Sequence, residues 1–69
     1  MIVNHKELKD ARIAAGITQE TMAGALGYKD KSSYCLLENG SVKCTVDQAK
    51  IIKETLRLTA KQYDTIFLT

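Results

Sequence analysis

Apolar residues recur along most of the chain at intervals of three and four, which is the spacing of one face of an α-helix. Five such stripes follow one another, and together they predict an all-α domain of five helices. Only residues 1–3 are typical of a strand, as a short frayed segment. The stripes are Leu8, Ala11 and Ala15; Met22, Ala23 and Leu26; Tyr34 and Leu37; Val46, Ala49, Ile52 and Leu56; and Tyr63, Ile66 and Phe67.

Polar residues mark where the predicted helices begin. A side-chain oxygen just before a helix can accept a hydrogen bond from one of its free backbone N–H groups. Ser32 or Ser33 is the predicted cap of the third helix. The predicted caps of the other four helices are Asn4, Thr18, Thr45 and Thr59.

Two charged residues fall on apolar stripes. Arg12 stands four residues after Leu8, and Glu38 stands four residues after Tyr34. A charge on an apolar face is costly unless it is paired, so we predict an ion pair between Arg12 and Glu38 that fixes the third helix against the first. The alternative is that both side chains reach solvent at the edges of their stripes.

Composition and charge limit the possible classes of protein, but they do not identify a partner. The chain has 69 residues, enough for one domain over residues 1–69, and ten basic against eight acidic residues give a net charge of +2. A surface for a polyanion must therefore come from the arrangement of charges. The charged start does not resemble a signal peptide, and no apolar run approaches the ~20 residues of a membrane span. We expect a cytoplasmic protein without a second, ligand-sensing domain.

The residue types favour a binding protein over an enzyme. Cys35 and Cys44 are expected to be free thiols in a reducing compartment, since a disulfide framework would use more cysteines. His5 is expected to be an exposed residue at a helix start, neither metal ligand nor base. We therefore predict no enzyme activity, no metal, no cofactor and no small-molecule ligand. A solvated helix face is expected to carry Lys50, Lys53, Arg57 and Lys61.

The third predicted helix has an outward face that begins at Lys31 and contains Ser32, Cys35 and Leu36. The major groove of B-DNA admits a helix of this width. The third helix would then read bases while the second helix crosses the backbone, where Gln19 could donate to a phosphate. The same geometry also fits other small helical bundles.

The stretch "LKDARIAAGITQETMAGALGYKDKSSYCLLENG" resembles the helix-turn-helix of the lambda-type phage repressor and Cro (Xre-type) family. The match includes "LK..R...G.TQE..A..LG" and the closing "ENG", and it continues weakly through "AKIIKETLRLT", so it covers about residues 8–67. The resemblance implies a five-helix, lambda-repressor-like DNA-binding domain with a helix-turn-helix at about residues 18–38. It also implies a Cro-like transcriptional regulator of phage or mobile-element type, expected to be a repressor that binds a palindromic double-stranded DNA operator as a homodimer.

The family also implies roles for single residues. It places an ion pair at Arg12 and Glu38, and a Gln at position 19 that touches phosphate and braces the reading helix. Base contacts are expected from Lys31, Ser32, Cys35 and Leu36. Phosphate contacts are expected from Gln19, Lys29, Ser33, Ser41 and Lys43.

The chain departs from the family pattern in three places. The turn before Ser32 is about one residue longer, and Tyr34 replaces a smaller aliphatic residue. Cys35 and Leu36 replace polar or basic residues, although base edges are read mainly by hydrogen bonds. Leu36 would either meet a thymine methyl group or pack on a neighbouring element.

This apolar pair favours an alternative function, a protein-interaction module on the same fold that has lost DNA reading. The polar and basic residues Gln19, Lys31 and Lys43 favour DNA binding. A dimer surface is predicted on the fourth and fifth helices, where an apolar surplus is expected from Leu58, Ile66, Phe67 and Leu68.

Overall fold

Five helices make up most of residues 2–68, the part of the chain that the computed structural model describes. The helices are α1 (His5–Ala14), α2 (Gln19–Ala25), α3 (Lys31–Glu38), α4 (Val46–Leu56) and α5 (Ala60–Ile66). Two short antiparallel strands, β1 (Ile2–Val3) and β2 (Phe67–Leu68), join the two ends of the described chain. The molecule is therefore a small, mostly helical domain with one strand pair.

The strand pair changes the predicted end of the fifth helix. Phe67 was expected on that helix, but α5 ends at Ile66 and Phe67 lies in β2, opposite Val3. The N–H of Asn4 donates to the carbonyl of Ile66 at 2.7 Å. Pairing with β1 supplies hydrogen bonds for backbone groups beyond the last helical turn, and it keeps Phe67 in the core. Met1, which belonged to the predicted frayed strand, lies outside the described residues.

Four of the predicted helix caps are confirmed, and the cap of α3 is wrong. Asp30, not Ser32 or Ser33, caps α3: its Oδ1 accepts from the N–H of Ser33 at 3.3 Å. The two serines lie inside the helix, because the Asp30 cap makes Lys31 its first residue. The other four caps accept from the N–H three residues ahead, and they are Asn4, Thr18, Thr45 and Thr59.

One apolar cluster forms the core, with side chains from all five helices, the loop before α4, the α4–α5 connection and β2. Two residues predicted on inner stripes neither belong to this cluster nor pack against it. Ala15 follows the last residue of α1 and is exposed, while Val46 is 53% exposed as the first residue of α4. The buried apolar residues are Leu8, Met22, Ala23, Tyr34, Leu37, Cys44, Ala49, Ile52, Leu56, Leu58, Ile66 and Phe67.

Three of the four residues predicted to form a dimer surface are buried in the core. Leu58, Ile66 and Phe67 are only 8%, 2% and 2% exposed, because the chain folds its last described segment back onto the core. The side chain of Leu68 lies outside the described part of the structure. Among residues 2–67, the exposed large apolar side chains are Ile2, Ile13, Leu36, Val42 and Val46.

Candidate functional site

The turn between α2 and α3 is held by backbone and side-chain bonds. Gly27 has φ +80°, a conformation that glycine adopts without a Cβ penalty. The N–H of Tyr28 donates to the carbonyl of Ala23 at 2.9 Å. The hydroxyl of Tyr28 accepts from Nε2 of Gln48 on α4 at 2.7 Å, so the turn is also fastened to α4.

The carboxylate of Glu38 joins α1, α2 and α3. Its Oε1 accepts from Nε of Arg12 at 2.7 Å, which is the ion pair expected from the sequence. Its Oε2 accepts from Nε2 of Gln19 at 2.6 Å, and the hydroxyl of Tyr34 donates to Oε1 at 3.4 Å. Nη1 of Arg12 also donates to the carbonyl of Ile17 at 2.9 Å, in the loop before α2. These bonds fix where α3 stands on the other two helices.

The hydroxyl of Tyr34 is buried beside the carboxylate of Glu38. Burial raises the pKa of the Tyr34 hydroxyl, and the negative charge of Glu38 raises it further. The hydroxyl therefore remains a neutral hydrogen-bond donor to Glu38. Gln19 uses one amide hydrogen on the same carboxylate, which leaves its second amide hydrogen for another acceptor.

The residues predicted to read bases differ in how exposed they are to solvent. Lys31 and Ser32 are exposed in the first turn of α3, and the side chain of Leu36 is 45% exposed. Leu36 therefore does not pack into the core. Cys35 is half-buried, and it lines a groove between α1 and α3 instead of the open face.

The residues predicted to contact phosphate also differ in their exposure and in the hydrogen bonds they already make. Lys29 and Lys43 are exposed at the surface. The exposed Ser41 has its N–H bonded to Oδ1 of Asn39 and to the carbonyl of Leu36, both at 2.9 Å. Ser33 is half-buried, and its N–H is used by the Asp30 cap. Gln19 is half-buried and bonded to Glu38.

Three adjoining grooves flank α3, and we call them together the α3 band. The α1–α3 groove shares Gln19 with the α2 groove, and it shares His5 with the loop groove. The α1–α3 groove is lined by His5, Lys6, Lys9, Gln19, Cys35, Glu38 and Asn39. The α2 groove is lined by Arg12, Thr18, Gln19, Glu20 and Lys31. The loop groove is lined by Ile2, Val3, His5, Gly40, Val42, Lys43 and Cys44.

Lys6 and Lys9 are candidate binding residues that the sequence analysis missed. Both are exposed on α1 and line the groove beside Cys35 of α3. Their spacing carried a usable signal, because Lys6, Lys9 and Arg12 follow one another at intervals of three. Residues at that spacing lie on neighbouring parts of one helix side, and Arg12 was already expected to face α3.

His5 corrects the prediction of an exposed helix-start residue. It is half-buried, and its Nδ1 is buried without a hydrogen-bond partner among the described residues. The ring packs against Gly40, where φ is +90° and an added Cβ would lie 2.8 Å from His5 Nε2. The start of α1 therefore lies directly against the end of α3. A side chain at position 40 would be strained at this φ and would require the His5 ring to shift.

The two cysteines are free thiols in the structure. Cys44 is buried, which raises the pKa of its thiol, and its Sγ donates to the carbonyl of Thr45 at 3.4 Å. Within residues 2–68, no group of three or more His, Cys, Asp or Glu side chains is placed to hold a metal ion. None of the helices in that range has the length and apolar character needed to cross a membrane.

Comparisons with protein-family models, with curated proteins and with solved structures give no match for this chain. A function must therefore be argued from the residues and their arrangement.

Proposed function

We propose that this chain is a DNA-binding domain of the lambda-repressor type that reads double-stranded DNA with α3. The observation that carries the proposal is the Glu38 cluster, which fixes α3 against α1 and α2. Lys31, Ser32 and Leu36 meanwhile remain exposed along α3. A rigidly held helix with polar groups in its first turn is what reading of a major groove requires.

Each exposed residue has a role in the proposed complex. Lys31 and Ser32 donate hydrogen bonds to base edges, and Leu36 contacts a thymine methyl group. Lys29 and Lys43 neutralise phosphates on the flanks of the reading helix. Gln19 directs its second amide hydrogen to a phosphate while its first stays on Glu38.

The proposed biological role is that of a cytoplasmic transcriptional repressor, acting by binding alone and without a catalytic step. A domain of this size gains affinity by binding a palindromic operator as a homodimer, with half-sites about one helical turn apart. The dimer surface is not assigned to α4 and α5, because the side chains of Leu58, Ile66 and Phe67 are buried in the core.

Fluorescence anisotropy tests the proposal on DNA selected from a random pool and on scrambled DNA, at several salt concentrations. The wild-type protein should bind both in a salt-dependent way and prefer the selected DNA. Lys43→Ala should weaken binding to both alike, whereas Ser32→Ala should relax preference at one or two base pairs. If the wild-type protein shows no salt-dependent binding at micromolar concentration, DNA binding is excluded as its function.

One observation favours a second candidate function, a protein-interaction module. Leu36 and Val42 are 45% and 42% exposed, and the N–H of Val42 donates to the carbonyl of Leu36 at 3.3 Å. Two exposed apolar residues whose backbones are hydrogen-bonded to each other suit a protein partner better than a DNA groove. This function would replace the first if DNA binding is absent and Leu36→Asp abolishes capture of a protein partner.

A further inference from the structure

We propose that the sugar–phosphate backbone of one strand of the bound DNA follows the α1–α3 groove and is held there by Lys6 and Lys9. This inference rests on the proposed function, because it assumes that α3 enters a DNA groove. It adds a binding surface on α1, outside the helix-turn-helix segment in which the sequence placed most of the predicted contacts.

The first support is the distribution of charge. The α3 band contains five basic side chains and two carboxylates, a net charge of +3, although the whole chain carries only +2. One of the carboxylates, Glu38, is 5% exposed and bonded to Arg12. The charges that remain on the surface of the band are those of four lysines and one carboxylate, Glu20. The near neutrality of the whole chain therefore conceals a basic strip around α3.

The second support is the position of the two lysines. Both lie on α1, three residues apart, in one groove with Cys35 and Asn39 on the α3 side. When a helix lies in the major groove, the sugar–phosphate backbones border it on both sides. In the proposed complex, the α1–α3 groove lies along one such border. Lysine suits this role because its ammonium group neutralises phosphate without demanding a fixed geometry.

The third support is that the band is continuous. Gln19 links the α1–α3 groove to the groove that contains Lys31, and His5 links it to the groove that contains Lys43. The two lysines of α1 therefore stand between Lys31 and Lys43, two of the three lysines that the sequence predicts to contact DNA. A sugar–phosphate backbone that borders the bases contacted by Lys31 and then reaches Lys43 would pass Lys6 and Lys9 on the way.

The basic residues of α4 provide a matched comparison. Lys50, Lys53 and Arg57 line a groove that shares no residue with the α3 band. Nζ of Lys53 lies 5.4 Å from the centre of the Tyr63 ring, a cation–π contact that gives this lysine a role within the fold. Lys50 is exposed on α4, so Lys50→Ala removes the same charge away from the proposed strand.

The experiment measures anisotropy of selected and scrambled DNA at several salt concentrations for Lys6→Ala, Lys9→Ala, the double variant and Lys50→Ala. The slope of log K against log [salt] should become shallower by about 0.9 for each lysine of α1 that is removed. Both DNAs should lose affinity by the same factor, because phosphate contacts carry no sequence information. Lys50→Ala should keep the wild-type slope, and Lys9→Arg should keep it as well.

The outcomes separate this inference from the proposed function. Wild-type protein without salt-dependent DNA binding would overturn the proposed function. If the wild-type protein binds but the double variant has the same slope as Lys50→Ala, the strand does not follow this groove and the function stands. A change in base preference would equally overturn the phosphate role. Thermal unfolding checks that each variant is folded, and Lys6→Gln and Lys9→Gln replace any alanine variant that is not.

Discussion

At the scale of the residue, Glu38 governs how the proposed reading helix is held. A carboxylate that is 5% exposed loses most of its hydration, and that loss is offset only by donors placed around both oxygens. Arg12 supplies the opposite charge, and Gln19 and Tyr34 complete the set. Removing any one donor leaves a charge that water cannot reach well.

Arg12→Met should lower the free energy of unfolding by about 1–4 kcal/mol, because it leaves the carboxylate of Glu38 buried without its counter-charge. The double variant Arg12→Met with Glu38→Leu should recover part of that loss. Recovery stays partial because Gln19 and Tyr34 then lose their acceptor. Urea unfolding of the two single variants and the double variant gives the coupling energy.

Lys50→Met is the control for this cycle, since it replaces an exposed lysine of α4 by the same apolar side chain. It should change stability by less than about 0.5 kcal/mol. Strictly additive losses for Arg12→Met and Glu38→Leu would mean that the two side chains do not stabilise each other.

Tyr34 makes the free energy of unfolding depend on pH in the alkaline range. Its pKa in the folded state is raised by burial above the ordinary value of about 10, so the folded state keeps a proton that the unfolded state loses. The stabilisation is complete below about pH 10 and is lost as pH rises towards the folded-state pKa. Above pH 10, the contribution should fall by at most about 1.4 kcal/mol per pH unit.

Tyr34→Phe should remove this contribution, so that its stability falls less steeply than that of the wild-type protein between pH 9 and 11. Urea unfolding at each pH measures the difference. Tyr63→Phe removes a hydroxyl elsewhere and leaves Tyr34 in place, so it should keep the wild-type slope. Equal slopes for Tyr34→Phe and wild type would show that Tyr34 is not the group concerned.

Some residue roles were readable in the sequence and others were not. Arg12 and Glu38 were recognisable because each breaks an apolar stripe at helical spacing. The bond from Gln19 to Glu38 was not predicted, because spacing does not say how far the start of α2 stands from the end of α3; the resemblance implied only that Gln19 braces the reading helix. The burial of His5 depends on the same missing information, namely the approach of α1 to Gly40.

At the scale of the element, the start of α3 decides how Lys31 and Ser32 are presented. Asp30 accepts from the N–H of Ser33 and so sets Lys31 as the first helical residue. A helix of eight residues has little stability of its own and depends on its cap and its packing. Loss of the cap should therefore loosen the first turn, where the proposed base contacts lie.

Asp30→Ala should lower the free energy of unfolding by about 0.5–2 kcal/mol, the usual cost of removing a helix N-cap. Ser32→Ala leaves the cap in place, so it should change stability by less than about 0.5 kcal/mol. Asp30→Asn should retain most of the stability, because its amide oxygen can still accept. A larger loss for Ser32→Ala than for Asp30→Ala would reassign the cap to the serine.

The elements themselves were largely predictable, with exceptions at their ends. Stripes of apolar residues located all five helices, and Thr or Asn before a stripe located four of the starts. Asp30 was missed because two serines inside the helix are equally good caps by residue type. Val46 was placed on the inner face because periodicity cannot show that the first turn of α4 extends beyond the core.

At the scale of the whole molecule, the strand pair closes the domain. It holds β1 against the end of α5, and the N–H of Asn4 adds a further bond to the carbonyl of Ile66. Phe67 is thereby kept in the core, with its ring centre 5.1 Å from that of Tyr63. The sequence indicated a short strand at residues 1–3, but it did not predict β2, because the pairing joins positions more than sixty residues apart.

The two residues of β1 allow a direct test of this closure. Val3 is half-buried and packs against the core, whereas its neighbour Ile2 is 69% exposed. Val3→Asp should lower the free energy of unfolding by about 1–3 kcal/mol, since it places a carboxylate without a partner against apolar side chains. Ile2→Asp introduces the same charge one position away and should cost less than about 0.5 kcal/mol. Urea unfolding measures both, and equal losses would show that β1 contributes only through its backbone and not by covering the core.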